Sequence, residues 1–197
     1  MSERDSLSLQ RCLDRLQQGD ESARRELLES VCDRLNRLAH VMLRDYHRLR
    51  RWEETGDVAQ NALIRLALAL ETVRPPTVRD FYRLATLEIR RELIDLVRHH
   101  FGPQGDGARH QSGASVNEHE AGNVSLDPGR LAVWSEFHRQ VEALPEEERE
   151  VFDLVWYQEL GHTEAARVLD VHPRTVKRRW LSACLKLHEV LGGELPC

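Results

Sequence analysis

Apolar residues recur at helical spacing through most of the chain. Ala59, Leu63, Leu66 and Leu70 follow one another at steps of three and four, the period of one helix face. Gly56-Asp57 just before them reads as a stop followed by an N-cap. Pro75-Pro76 then breaks the chain. A second stripe, Tyr82, Ala85, Ile89, Leu93, Leu96 and Val97, predicts a helix from about Val78 to His100. Glu88, Arg91, Asp95 and Arg98 line another side of it and predict a solvated or partner-facing surface. Upstream, Ala23–Met42 is amphipathic and leads into a basic patch, Arg44–Arg51, followed by Trp52. No strand alternation appears, so residues 5–101 are expected to be helical throughout.

The pattern stops at residues 102–130. That stretch is rich in Gly, Ser, Asn and His and nearly free of large apolar residues, the composition of a flexible linker. Fully extended it would reach about 90 to 100 Å. Beyond it the punctuation sharpens. Pro145 followed by Glu146, Glu147 and Glu148 marks a helix start, and that helix is expected to run through Tyr157 to a stop at Gly161. Thr163 is the expected N-cap of a short helix. A turn, Asp170 to His172, separates it from a long helix that opens at Pro173 and ends at Gly192-Gly193. The expected fold is therefore all-α, with two small helical domains, 5–101 and 131–197, joined by the linker.

Short helix, tight turn, long helix is the helix-turn-helix layout. On the last helix Val176, Trp180, Ala183, Cys184, Leu187 and Leu191 share one side, which should pack inward. Arg174 and Arg178 fall opposite, flanked by Thr175 and Lys177, with Arg179 next to them. These groups occupy the N-terminal turns, the part that enters a major groove in this motif. Arginine and lysine donate to guanine edges or phosphates, and threonine contacts either. Leu181 and Leu185 also point outward, either against a neighbouring helix or towards a protein partner.

Charge sharpens that reading. The 197 residues carry a formal net charge of -5, with 28 Lys and Arg against 33 Asp and Glu. A chain of that balance does not coat nucleic acid by bulk attraction, so its cationic tip must be aimed. At 41% hydrophobic and 31% charged the chain can bury a core. The segment M-S-E-R-D-S has no apolar signal core and no run reaches the length of a membrane span, which predicts a cytoplasmic protein without membrane insertion. Cys12, Cys32, Cys184 and Cys197 lie far apart and are expected to be reduced thiols. Cys184 and His188 stand at i, i+4 without further ligands converging in sequence. No P-loop, nucleophile elbow or dinucleotide glycine motif is present. Neither an enzyme nor a cofactor is expected.

Three stretches of the second block, L-P-x-x-x-R-E-V-F (Leu144–Phe152), E-L-G-H-T-E-A-A-R-V-L (Glu159–Leu169) and T-V-K-R-R (Thr175–Arg179), resemble the promoter-binding fourth region of bacterial sigma factors. In the first block, G-D-V-A-Q-N-A-L-I-R-L (Gly56–Leu66) resembles the core-binding helix of the second region. Phe81–His100 resembles the promoter-melting helices after it. Both blocks in this order and length resemble the extracytoplasmic-function (ECF) class.

That resemblance implies an alternative sigma factor that binds core RNA polymerase and directs promoter recognition and DNA melting. Asp57, Gln60, Asn61 and Arg65 would bind the polymerase clamp. The loop Arg74–Asp80 and the next helix would hold the melted strand. The last helix would read upstream promoter DNA, its domain would meet the polymerase flap, and an anti-sigma factor commonly restrains the class. Asn61 stands where the family usually has Glu, Leu63 where Phe is common, and His172 where a Ser usually caps the reading helix. The His172 cap is expected to be weaker by up to about 1 kcal/mol. A signal-responsive helix-turn-helix regulator, with 5–101 as its sensor domain, is the rival reading. It would need no polymerase.

Overall fold

A computed structural model describes residues 3–43, 52–101 and 128–193, with side chains at 6–40, 58–95 and 133–193. The Arg44–Arg51 patch, residues 102–127 of the expected linker and the Asp57 side chain lie outside the described residues. Every regular element among those described is a helix. The N-terminal block holds α1 (Glu3–Gln17), α2 (Glu21–Leu43), α3 (Trp52–Thr72) and α4 (Val78–Phe101). The C-terminal block holds α5 (Pro128–Ala143), α6 (Glu146–Phe152), a π-helical turn (Asp153–Tyr157), α7 (His162–Val168) and α8 (Pro173–Val190).

Local chemistry explains most of these limits. Gly19 takes φ +90° after α1, a region that side chains avoid. Asp20 then accepts the Ser22 backbone N–H at 2.9 Å and starts α2. At the head of α4 the Thr77 hydroxyl accepts the Asp80 N–H at 3.1 Å. Pro75-Pro76 ends the preceding stretch, and Gln10 of α1 ties down the turn through the Pro76 carbonyl at 2.9 Å. Leu13, Leu27, Val31, Leu66, Leu70, Phe81 and Ala85 fill the centre of this four-helix block.

Several sequence-based limits move. The helix carrying Gly56-Asp57 begins at Trp52, so Asp57 lies inside it and not at its cap. Residues 128–130 belong to α5 rather than to the linker. Gly161 does not stop the third helix of its block. The chain leaves the helix at Gln158 and reverses at Glu159, a non-glycine residue at φ +51°. Gly161 is instead the N-cap of α7, displacing Thr163. It has no side chain to accept a bond, and Glu164 reaches back to its N–H at 2.9 Å. Glu88 is buried rather than solvated.

The two blocks pack against each other. Sequence reading leaves them free to separate; the structure closes α5 and the π-turn onto α4. Phe137, Val141 and Tyr157 join the same buried core as Tyr82, Ile89 and Leu93. The π-turn makes this possible. Its wide i to i+5 step, Gln158 N–H to the Asp153 carbonyl at 3.2 Å, turns Asp153 and Tyr157 towards α4 while Phe152 and Trp156 stay in the aromatic core.

Candidate nucleic-acid and polymerase interfaces

The N-terminal turns of α8 are built from within. Val176, Ala183 and Leu187 are fully buried, and Phe152 stacks on Trp180 at 5.1 Å between centroids. That seat turns the opposite face outward: Arg174, Lys177 and Arg178 are exposed and Thr175 is half-buried. The start of the helix is held firmly. Pro173 supplies the preset φ of a first turn, and His172 Nδ1 accepts the Arg174 N–H at 3.1 Å. The histidine ring therefore makes a side-chain bond at the cap, in the place where a serine hydroxyl would accept.

Arg179 differs from its neighbours. Its guanidinium lies against Glu147 at 2.5 Å and its side chain is only 17% exposed. The carboxylate comes from α6, thirty-odd residues earlier, which no reading of a local basic run can anticipate. The outer side of the first turns of α8 thus presents Arg174, Lys177 and Arg178, with Arg179 drawn back onto Glu147. Leu181 and Leu185 project beyond them into solvent as expected.

These features match a known family. The chain fits the family model for ECF sigma factors over residues 7–192. The chain belongs to the ECF sigma factor family. No curated protein matches it. As an ECF sigma factor it acts in transcription initiation, a DNA-binding and polymerase-binding role. None of the described helices is long and apolar enough to cross a membrane.

The sigma factor's α3 buries Val58, Ala59, Ala62, Leu66 and Leu70 against the block. Gln60 and Asn61 are exposed on its outer side. Arg65 is partly committed elsewhere, to Glu92 and Asp95 of α4 at 2.8 Å each. Beside them stand two residues that sequence reading passed over. Ile64 is 48% and Leu68 57% exposed. The signal was present, because both fall outside the Ala59–Leu70 stripe. An exposed aliphatic pair one turn apart is an unspent apolar surface.

A polar network joins the sigma factor's two blocks. Arg90 of α4, almost wholly buried, pairs with Asp153 of the π-turn and donates to the Tyr157 hydroxyl at 3.3 Å. That hydroxyl lies 2.7 Å from His138 Nδ1 of α5. Burial, and then the charge on Arg90, hold His138 down at about 3, so the ring is neutral. Burial pushes the Asp153 carboxyl up to about 6, with Arg90 pulling against it. Next to it Gln158 Nε2 donates to Thr86 Oγ1 at 2.9 Å, and Arg34 donates to the Gln158 carbonyl at 3.1 Å. Among the described residues no cluster of three His, Cys, Asp or Glu side chains forms a metal site. Cys184 is half-buried on the packing side of α8 while His188 is exposed.

Proposed function

We propose that this ECF sigma factor docks on core RNA polymerase through the outer face of α3 and reads upstream promoter DNA with the first turns of α8. Gln60 and Asn61, with Asp57 and Arg65 from the same motif, supply the polar part of the polymerase contact, and Ile64 and Leu68 its apolar centre. Arg174, Thr175, Lys177 and Arg178 address the major groove in a helix-turn-helix manner. The Arg74–Asp80 turn and the start of α4 hold the melted strand, and Leu181 and Leu185 face a protein, the polymerase flap or an anti-sigma partner. The observation that carries the reading is the exposed cationic start of α8 on a chain of net charge -5. So localised a positive surface acts only when polymerase supplies further cationic contacts.

The test is transcription with core polymerase, with start sites mapped. Ile64→Glu with Leu68→Glu buries two charges in the polymerase contact and is expected to weaken core binding by about tenfold or more. Both residues are exposed, so the helical circular dichroism should not change. Core binding at the wild-type affinity would remove α3's outer face from the interface. A chain that never supports initiation with core polymerase would favour the regulator reading.

Arg179 offers a finer check. Glu147→Gln releases its guanidinium towards the duplex, adding one phosphate contact. The slope of log affinity for promoter duplex against log salt, taken with the polymerase-bound factor, is then expected to steepen by about 0.9. An unchanged slope would keep Arg179 on the scaffold in the complex as well.

A further inference from the structure

The start of α8 uses up its own backbone donors. Pro173 has no N–H. The Arg174 N–H goes to His172 Nδ1 at 3.1 Å. The Thr175 and Val176 N–H groups both go to the His172 carbonyl, at 2.8 and 3.3 Å. A helix end commonly offers such groups to a phosphate; here none is left, so side chains must make the contact. Arg174, Lys177 and Arg178 are exposed there, and so is His172. The cap bond also fixes the state of the imidazole. A backbone N–H can only donate, so Nδ1 accepts and carries no proton. The ring is then neutral, with its single proton on Nε2. The two nitrogens lie on opposite sides of the ring, so the Nε2–H is turned away from the bond that caps the helix. Among the described residues it has no hydrogen-bond partner. We propose that His172 is a further DNA contact of this sigma factor, capping α8 with one ring nitrogen and donating the other's N–H to a backbone phosphate of the promoter duplex.

This contact depends on α8 being the reading helix proposed above. In a helix-turn-helix unit that helix enters the groove by its N-terminal end. The residue just before that end meets the wall of the groove, where the phosphate oxygens lie. A phosphate oxygen only accepts, and Nε2–H in this tautomer only donates. A hydrogen bond to an ion is stronger than one between neutral groups. Serine, usual at this place in the family, holds its hydroxyl one bond beyond Cβ. The imidazole carries its donor to the far side of a ring and keeps the cap. The donor is also held in place beforehand. The Val171 N–H bonds the Ala166 carbonyl at 2.9 Å on one side of His172, and Pro173 locks φ on the other. Little is left to order on binding. A phosphate contact carries no base information; it sets the register in which Arg174 and Arg178 meet the groove. Because the donor is neutral, it adds affinity without counterion release. That suits a chain of net charge -5 whose cationic surface is small.

Two substitutions separate the roles of the two nitrogens. His172→Asn puts an amide oxygen where Nδ1 accepts and leaves the Nε2 position empty; asparagine is among the best caps. His172→Gln reaches the Nε2 position with an amide N–H and loses the cap. The assay is promoter-duplex affinity of core polymerase loaded with the full-length factor, over a salt series. His172→Asn is expected to melt with the wild type and to bind about five- to tenfold more weakly. The loss should be equal on promoters of altered sequence, with the salt slope unchanged. His172→Gln is expected to melt lower and yet to bind at least about threefold more tightly than His172→Asn. A residue that only caps gives the reverse order, and that result overturns the proposal. The state of the ring is read on the free full-length chain by nitrogen NMR of isotope-labelled histidine. The His172 signal is the one lost in His172→Asn. Its proton is expected on Nε2; a proton on Nδ1 overturns the proposal with no polymerase in the assay. Arg174→Ala/Arg178→Ala, measured alongside, reports on the reading helix itself. If that variant loses promoter affinity while His172→Asn keeps it, the His172 contact falls alone. If both keep it, the reading face falls as well.

Discussion

Phe137→Ala is expected to cost about 3 to 5 kcal/mol of stability, a large share of the roughly 5 to 15 kcal/mol that holds an ordinary domain folded. Phe137 has no exposed surface. Its ring meets Trp156 at 5.0 Å, Trp134 edge-on at 5.6 Å and Phe152 edge-on at 6.0 Å between centroids. Truncation removes those ring contacts and leaves a hole that rigid aromatic neighbours cannot fill by shifting. The neighbour Phe152 carries the stack on Trp180, so the damage reaches the seat of α8. Urea unfolding followed by tryptophan fluorescence measures the loss well, because Trp134, Trp156 and Trp180 all lie in this block. A loss under about 1 kcal/mol would mean that Phe137 is not packed as described.

Arg174→Ala combined with Arg178→Ala is expected to abolish promoter use with little effect on the fold. Both side chains are exposed, and exposed substitutions away from caps and buried pairs usually stay within about 0.5 kcal/mol. At a groove the same truncations matter far more. Each lost base or phosphate contact costs about 1 to 3 kcal/mol, so the pair should lower promoter affinity by at least about 30-fold. Core binding should be retained, since α3 is remote in sequence and on the other block. The single variants separate two roles. A residue that touches phosphate lowers the salt slope by about one and weakens all sequences alike; a residue that reads a base relaxes specificity at one position. Normal transcription by the double variant from the mapped promoter would move the reading face elsewhere.

Much of this protein follows from short-range rules. Proline, glycine and capping residues act within one turn of themselves, so Pro145, Pro173 and Gly192-Gly193 mark helix limits that hold in the structure. The α8 wheel places Val176, Ala183 and Leu187 inward and Arg174 and Arg178 outward, as found, because an amphipathic stripe needs only its own period. The same locality explains the misreadings. Gly161 reads as a helix stop, yet the helix ends at Gln158 and the chain reverses at Glu159, held at a positive φ while its side chain meets Arg37 at 2.7 Å from the other block. The bond that His172 offers through Nδ1 depends on one rotamer, which a scale of residue types does not contain.

What the sequence determined by itself is the all-helical content, the outward cationic start of the last helix and membership of the ECF sigma factors, since all three rest on local periodicity and ordered motifs. Only the tertiary structure decided which charges are spent. Arg179 goes to Glu147, Arg90 to a buried Asp153, and Arg79 to Glu150. Coulomb partners far apart in the chain are chosen by how helices pack, and packing is a property of the whole fold rather than of any stretch of it.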